Sequence, residues 1–243
     1  MENFSASKLA KFIIPKSRRA SLESFGLTLS KPQTRISRRG LTPINSSNLK
    51  RESLNFVKRI FPLIIKPLKL AGTFEITLNR IGDSRGYFME TFSHKVFADN
   101  GIEADWVQEN QSFSARQGII RGLHFQVPPM SQAKFVRVIQ GEILDVFVDL
   151  RKTSETFGKW DSIHLSAENC QAVYIPQGFA HGFSTLSENV IVQYKVDNPY
   201  SRKHEQGILW NDPGIGIDWE VTEPFLSEKD EKLPTLKDLV SPF

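Results

Sequence analysis

From about Pro67 the chain falls into short segments of alternating or continuous apolar residues, punctuated by Gly, Pro, Asn and Asp. Residues 142–150 show the alternation most plainly. Leu144, Val146, Val148 and Leu150 fall on one face, and Asp145, Phe147 and Asp149 on the other, as the two-residue period of a strand demands. Lys134–Gln140 reads as the preceding strand, with Gly141-Glu142 as a tight hairpin connection. The same texture predicts strands at 73–78, 87–92, 105–114, 118–126, 159–166, 171–176, 180–187, 189–197 and 207–211. Helical signals are confined to 94–100 and 227–231. Many short strands separated by turn residues predict an all-β sandwich or barrel with few short helices. A jelly roll closes that many antiparallel strands while leaving few exposed edges. No internal repeat argues for a solenoid or propeller.

The first quarter of the chain has a different character. Fourteen of the 31 Lys and Arg fall in residues 1–66, against three of the 27 Asp and Glu, so this part carries +11 and the remainder −7. The overall pI of about 9.1 is therefore set by the leader and says little about partners of the body. Residues 1–61 are rich in Ser, Asn, Lys and Arg, with scattered apolar positions and no period. They read as a basic, disordered leader preceding a domain at 62–243. An organellar transit peptide is the second reading of this acid-poor composition. A nucleic-acid arm ranks last, because no aromatic residues interleave the charges. No apolar h-region of a secretory signal follows the first lysines. The expected location is the cytoplasm, with organellar targeting as the alternative.

Composition narrows the chemistry. One cysteine, Cys170, excludes an intrachain disulfide framework and any multi-cysteine metal site. The longest apolar run near the boundary, Phe61–Ile65, is cut by Lys66 and Pro67, far short of the roughly 18–20 residues of a bilayer span. Neither a membrane nor a nucleic acid is expected as a partner.

Five histidines remain to be weighed, at 94, 124, 164, 181 and 204. His124 lies in Arg121-Gly-Leu-His-Phe-Gln126, where alternation puts His124 and Gln126 on one face. His181 follows the turn Pro176-Gln-Gly, in the Pro-x-Gly-x-x-His arrangement of cupin barrels, and is expected at the barrel mouth. Metallocupins add a second histidine and a glutamate. Here Gln126 replaces the histidine and Val127–Ser131 supplies no glutamate, so no metal is assigned.

The alternative is acid–base work, for which an imidazole with an ordinary pKa of about 6.5 is suited. His124 is the natural proton acceptor; a core histidine that only donates hydrogen bonds is the plainer reading. Arg121 and Lys134 shift the balance, because cations inside short apolar strands are costly unless they meet an anion. An outward Lys134 is the plain alternative. By the residues alone, Tyr194, Tyr200, Trp210 and Trp219 read as packed strand aromatics and Asp230 as a solvated helix residue.

An ordered set of motifs alters that reading. Gly82-Asp-Ser-Arg-Gly-Tyr-Phe-Met-Glu90, Gln108-Glu-Asn110, Arg121–Gln126 and Asp145–Arg151 are followed by Ser154–Trp160, Ile175–Phe183, Tyr194-Lys195 and Ile208–Pro213. Ile81–Trp219 thereby resembles the dTDP-4-dehydrorhamnose 3,5-epimerase family; with the tail through Asp230 the likeness spans about two thirds of the chain. The resemblance implies a jelly-roll cupin, usually a homodimer, that uses neither metal nor redox cofactor. Its dTDP-sugar substrate, dTDP-4-dehydro-6-deoxy-D-glucose, is inverted at carbons 5 and 3. Residue by residue, His124 matches the base, Asp230 its carboxylate partner, Tyr194 the acid and Lys134 the cation beside the carbon 4 oxygen. Arg85, Glu90, Gln108, Glu109 and Asn110 match positions that bind nucleotide or sugar. So do Arg121, His181, Tyr200, Glu205 and Lys229, with Tyr200 stacking on thymine in relatives. Strand exchange between subunits is a further implication.

The chain departs from the family pattern in the loop Val127–Ser131, at Ala133 where a glycine often stands, and by one residue fewer between Trp219 and Lys229-Asp230. Three rivals remain: an epimerase of one centre only, a non-catalytic cupin that binds nucleotide sugars, and a metal-dependent oxygenase.

Overall fold

A computed structural model describes residues 63–243. The basic leader, 1–61, lies outside the described residues. Thirteen strands follow: β1 (Leu63–Pro67), β2 (Phe74–Leu78), β3 (Arg80–Asp83), β4 (Gly86–Met89), β5 (Gln108–Ser114), β6 (Ile120–Gln126), β7 (Lys134–Gln140), β8 (Glu142–Asp149), β9 (Trp160–Ser166), β10 (Gln171–Ile175), β11 (Phe179–Thr185), β12 (Val190–Val196) and β13 (Glu205–Gly207). One short helix, α1, spans His94–Ala98, and two 3₁₀ turns span Asp230–Lys232 and Leu236–Asp238. Two antiparallel sheets face each other, ordered β1-β2-β10-β7-β12-β5 and β13-β6-β11-β8-β9. Strands β3 and β4 form a separate hairpin. This is the expected all-β jelly roll.

Alternation along β8 explains how the layers stack. Ile143 and Phe147 join Val136, Val138, Val173 and Val192 of the opposite sheet in the inner core. Leu144, Val146, Val148 and Leu150 point the other way and are covered by the C-terminal segment through Trp219, Leu236 and Phe243. The outer face of the six-stranded sheet buries Ile76, Phe135 and Tyr174 beneath α1, where Phe97 packs edge-on to Phe135. Removing side chains of this size from water stabilises by about 1.5–3 kcal/mol each. Among the described residues no helix is long and apolar enough to cross a membrane.

Three differences from the sequence reading have physical causes. Strand β1 hides in the run ended by Pro67; it is an edge strand, where a missing N–H leaves no ladder bond unmade. The strand expected at 207–211 is instead Glu205–Gly207, because Gln206 and Gly207 pair with Phe125 and His124. The helix expected at 227–231 shrinks to a 3₁₀ turn whose first residue, Asp230, is buried.

Candidate active site

The inner faces of the two sheets leave a cavity of about 420 Å³. His124, Arg121 and His181 line it from the five-stranded sheet, and Lys134 and Tyr194 from the six-stranded sheet. A strap following Trp219 closes one side with Phe225, Leu226, Ser227, Lys229 and Asp230. Lys134 stands on a strand of the facing sheet, opposite His124, and not on a neighbour of β6.

Arg121 and His124 are three residues apart, so a regular strand would aim them to opposite faces. A register shift resolves this: His181 pairs with His124, but Phe183 pairs with Arg121. One extra residue on β6 makes a bulge that turns both side chains inward. Glycines permit it. A Cβ on Gly122, whose φ is +126°, would lie 2.5 Å from the Cα of Gly182. The two backbones therefore touch where only hydrogen fits.

His124 Nε2 donates to Asp230 Oδ1 at 2.6 Å, leaving Nδ1 as the acceptor nitrogen. Asp230, 4% exposed, also receives the N–H of Gly122. Burial alone would raise its pKa, but the hydrogen bond and charge of His124, with Ser227, hold it below the ordinary carboxylate range. Ser227 Oγ also accepts the Asp230 N–H, at 3.2 Å. A second pair lies deeper: His181 Nε2 donates to Asp145 Oδ2 at 2.9 Å. Burial pushes the His181 imidazole down, against the pull of Asp145.

Burial also lowers Lys134 to about 8, with Asp145 and then Glu205 opposing the fall. Its ammonium is deep in the protein yet still reached through the cavity. Burial raises the Tyr194 phenol, against a hydrogen bond with Asn110. From Asn110 the polar chain continues along the rim. Gln108 Nε2 donates to Asn110 Oδ1 at 2.7 Å, and the Tyr200 N–H donates to Gln108 Oε1 at 3.0 Å. Tyr200 Oη and Lys229 Nζ both donate to Glu205 Oε2, at 3.0 and 2.7 Å. Arg121 reaches between the sheets, donating to Ser114 Oγ at 3.1 Å and the Phe113 carbonyl at 3.0 Å.

The structure thus brings together His124, Asp230, Tyr194, Lys134, His181 and Arg121 around one cavity, with Gln108, Asn110, Tyr200, Glu205 and Lys229 as a connected rim. Three sequence candidates stand apart. Glu109 pairs with Lys195, its cross-strand partner, on the strand face opposite Gln108 and Asn110. Arg85 is held to Asp83 in the exposed turn of the β3–β4 hairpin. Glu90 follows that hairpin and does not line the cavity. Eight lining residues are not among the sequence candidates: Ser112, Ile119, Ile120, Phe183, Val192, Phe225, Leu226 and Ser227. Asp145 stands in the sequence as a strand position and in the motif Asp145–Arg151, with no role assigned to its carboxylate, although an acid in phase with Phe147 was the available signal. Among the described residues no group of three His, Cys, Asp or Glu side chains is placed to hold a metal ion.

The profile of dTDP-4-dehydrorhamnose 3,5-epimerases matches residues 67–238. The chain belongs to this family. It is 46% identical over 178 residues to the dTDP-4-dehydrorhamnose 3,5-epimerase of Sinorhizobium fredii, covering 73% of this chain and 91% of that one. The crystal structure of the Bacillus anthracis epimerase with TDP and pyrophosphate bound superposes with a TM-score of 0.70 at 46% identity, over 72% of this chain and 99% of that chain. The Legionella pneumophila epimerase, solved with dTDP-4-keto-L-rhamnose, also gives a TM-score of 0.70, at 38% identity over 73% and 94% of the two chains. Family membership accounts for the two-sheet cupin fold around this cavity.

Proposed function

We propose that the protein inverts carbons 3 and 5 of dTDP-4-dehydro-6-deoxy-D-glucose by removing and returning protons, as a dTDP-4-dehydrorhamnose 3,5-epimerase. The observation that carries this is a carboxylate-backed imidazole on one sheet and a phenol on the other, facing one cavity that also holds an ammonium. Both carbons are α to the carbon 4 ketone. Loss of either proton to His124 Nδ1 leaves an enolate whose charge rests on the ketone oxygen, and the Lys134 ammonium offsets that charge in a site largely shielded from water. Asp230 steadies the imidazolium that forms. Inversion needs the returning proton to arrive from the opposite side, and Tyr194 stands on the opposite sheet. The reaction consumes no net proton and changes no oxidation state.

In this reading the rim from Gln108 to Lys229 holds the nucleotide, with Tyr200, 55% exposed, offering a ring face to the base. Arg121 and Lys229 suit the diphosphate. The Legionella relative solved with a dTDP-keto-sugar supports the substrate class. We place the domain boundary near residue 62, where the family match is about to begin and the charge changes sign. The protein is further proposed to be a homodimer. Ile81, Tyr87 and Phe88 are 60–71% exposed on the β3–β4 hairpin, an apolar face suited to a second copy, beside an Arg85 remote from its own cavity. The proposed compartment is the cytoplasm; the mass of the native N-terminus tests the alternative of organellar import.

The decisive experiment is incubation with the keto-sugar nucleotide in deuterated water, followed by NMR. Deuterium at both carbons, with inverted configuration, is expected. Label at one carbon only would reduce the activity to a single-centre epimerase, and no exchange at all would overturn the reading.

A further inference from the structure

His181 and Lys134 reach the cavity from opposite sheets, and neither has its electrostatics settled without a third group. Asp145 lies on β8, 0% exposed, on the same face as Ile143 and Phe147 of the inner core. One oxygen, Oδ2, accepts the His181 Nε2 proton at 2.9 Å. The other, Oδ1, is buried and has no hydrogen-bond partner. Leaving a buried polar atom without a partner is destabilising, and the apolar positions two residues to either side show that packing alone requires no carboxylate here.

We propose that Asp145 is a positioning residue of the reaction, keeping the His181 proton on Nε2 and the Lys134 side chain in its ammonium form beside the sugar ketone. The inference rests on the function proposed above. The groups bearing on Lys134 come from several strands: Asp145 on β8, Glu205 on β13 and His181 on β11, with His124 on β6 and Tyr194 on β12 sharing the cavity. Glu205 is already engaged by Lys229 and Tyr200 at the rim. Asp145 is the deep counter-charge, and it retains an unbonded oxygen.

Burial draws Lys134 down to about 8, and Asp145 is the larger of the two charges that resist. A cation that stabilises an enolate is lost as pH rises through its pKa, so Asp145 sets the alkaline limit of the reaction. Removing its charge moves that limit to lower pH.

The test is Asp145→Asn, which keeps the shape and an acceptor for His181 Nε2 but removes the charge. Profiles of kcat against pH are compared with the parent protein from about pH 6 to 9. The expected alkaline limb shifts down by about one unit, so the variant's deficit at pH 8 exceeds its deficit at pH 6 by about fivefold. A deficit equal at every pH would mark a merely structural role and overturn the proposal. Asp145→Ser, smaller and also neutral, gives the same readout should the asparagine variant fail to fold. A second measurement needs no turnover: pH-dependent acylation of Lys134, read by peptide mass spectrometry. Its midpoint is expected to fall in the neutral variants, and an unchanged midpoint overturns the inference. If the parent protein does not turn over the keto-sugar, the function fails, while the labelling still judges Asp145.

Discussion

His124 and Tyr194 line one cavity from opposite sheets, the imidazole on β6 and the phenol on β12. Strands that never pair with each other thus supply the two ends of a proton path through a bound sugar. For an enzyme that inverts a carbon, this separation matters more than either residue's own reactivity.

Removing either end should have distinct consequences. His124→Ala is expected to lower kcat by about 10²–10⁴-fold. Tyr194→Phe should still let protons leave but should not return one from the far side. NMR in deuterated water is then expected to show exchange at carbon 3 outlasting inversion at carbon 5. Full double inversion by Tyr194→Phe would remove the phenol from the mechanism.

Asp230→Asn tests the partner of the base. The amide can still accept from His124 Nε2 but cannot balance an imidazolium, and losses of about 10–100-fold in kcat are expected, with smaller changes in KM. An unchanged kcat would assign Asp230 a purely structural part.

Gly118 makes a prediction about the strap. Its φ is +83°, and a Cβ there would lie 2.6 Å from the Glu223 carbonyl oxygen. Two backbone bonds hold the strap at this point, Phe225 N–H to the Gly118 carbonyl and Ile120 N–H to the Phe225 carbonyl. Gly118→Ala should cost about 1–3 kcal/mol of stability. It should also lower kcat, because Asp230 rides on the displaced segment. Urea unfolding and turnover check the two effects separately.

A fourth prediction concerns acid. Asp149 is buried, and burial would raise its carboxyl. The bonds from Arg151, Ser154 and Thr156 outweigh that effect and hold it at about 2. A folded-state pKa below the unfolded value gives stability that is present above about pH 4 and lost as pH falls toward 2. Asp149→Ala is expected to destabilise by about 3 kcal/mol at neutral pH. The gap to the parent protein should narrow in acid. Thermal unfolding across pH measures it, and a gap independent of pH would contradict the ionic account.

Much of this protein was legible in its sequence, because alternation, turn residues and motif order are local properties. The two faces of β8, the hairpin from β7 to β8, and the match of His124 and Asp230, 106 positions apart, to a base and its carboxylate partner are all legible along the chain. What the chain alone could not decide was the side on which each candidate would fall. The bulge at Gly122 depends on a backbone contact with Gly182, and it alone lets Arg121 and His124 share a face. Asp230 sits in a stretch that reads as solvated, and only the docking of the strap on residues 118–120 buries it. Asp145 follows the period of a core strand, and its importance emerges only when β11 and β7 bring a histidine and a lysine to it from different sheets. Periodicity is written along the chain, whereas burial and charge balance arise between segments far apart in it. The sequence therefore settled the fold class and most of the chemical groups, and tertiary packing decided which of them meet.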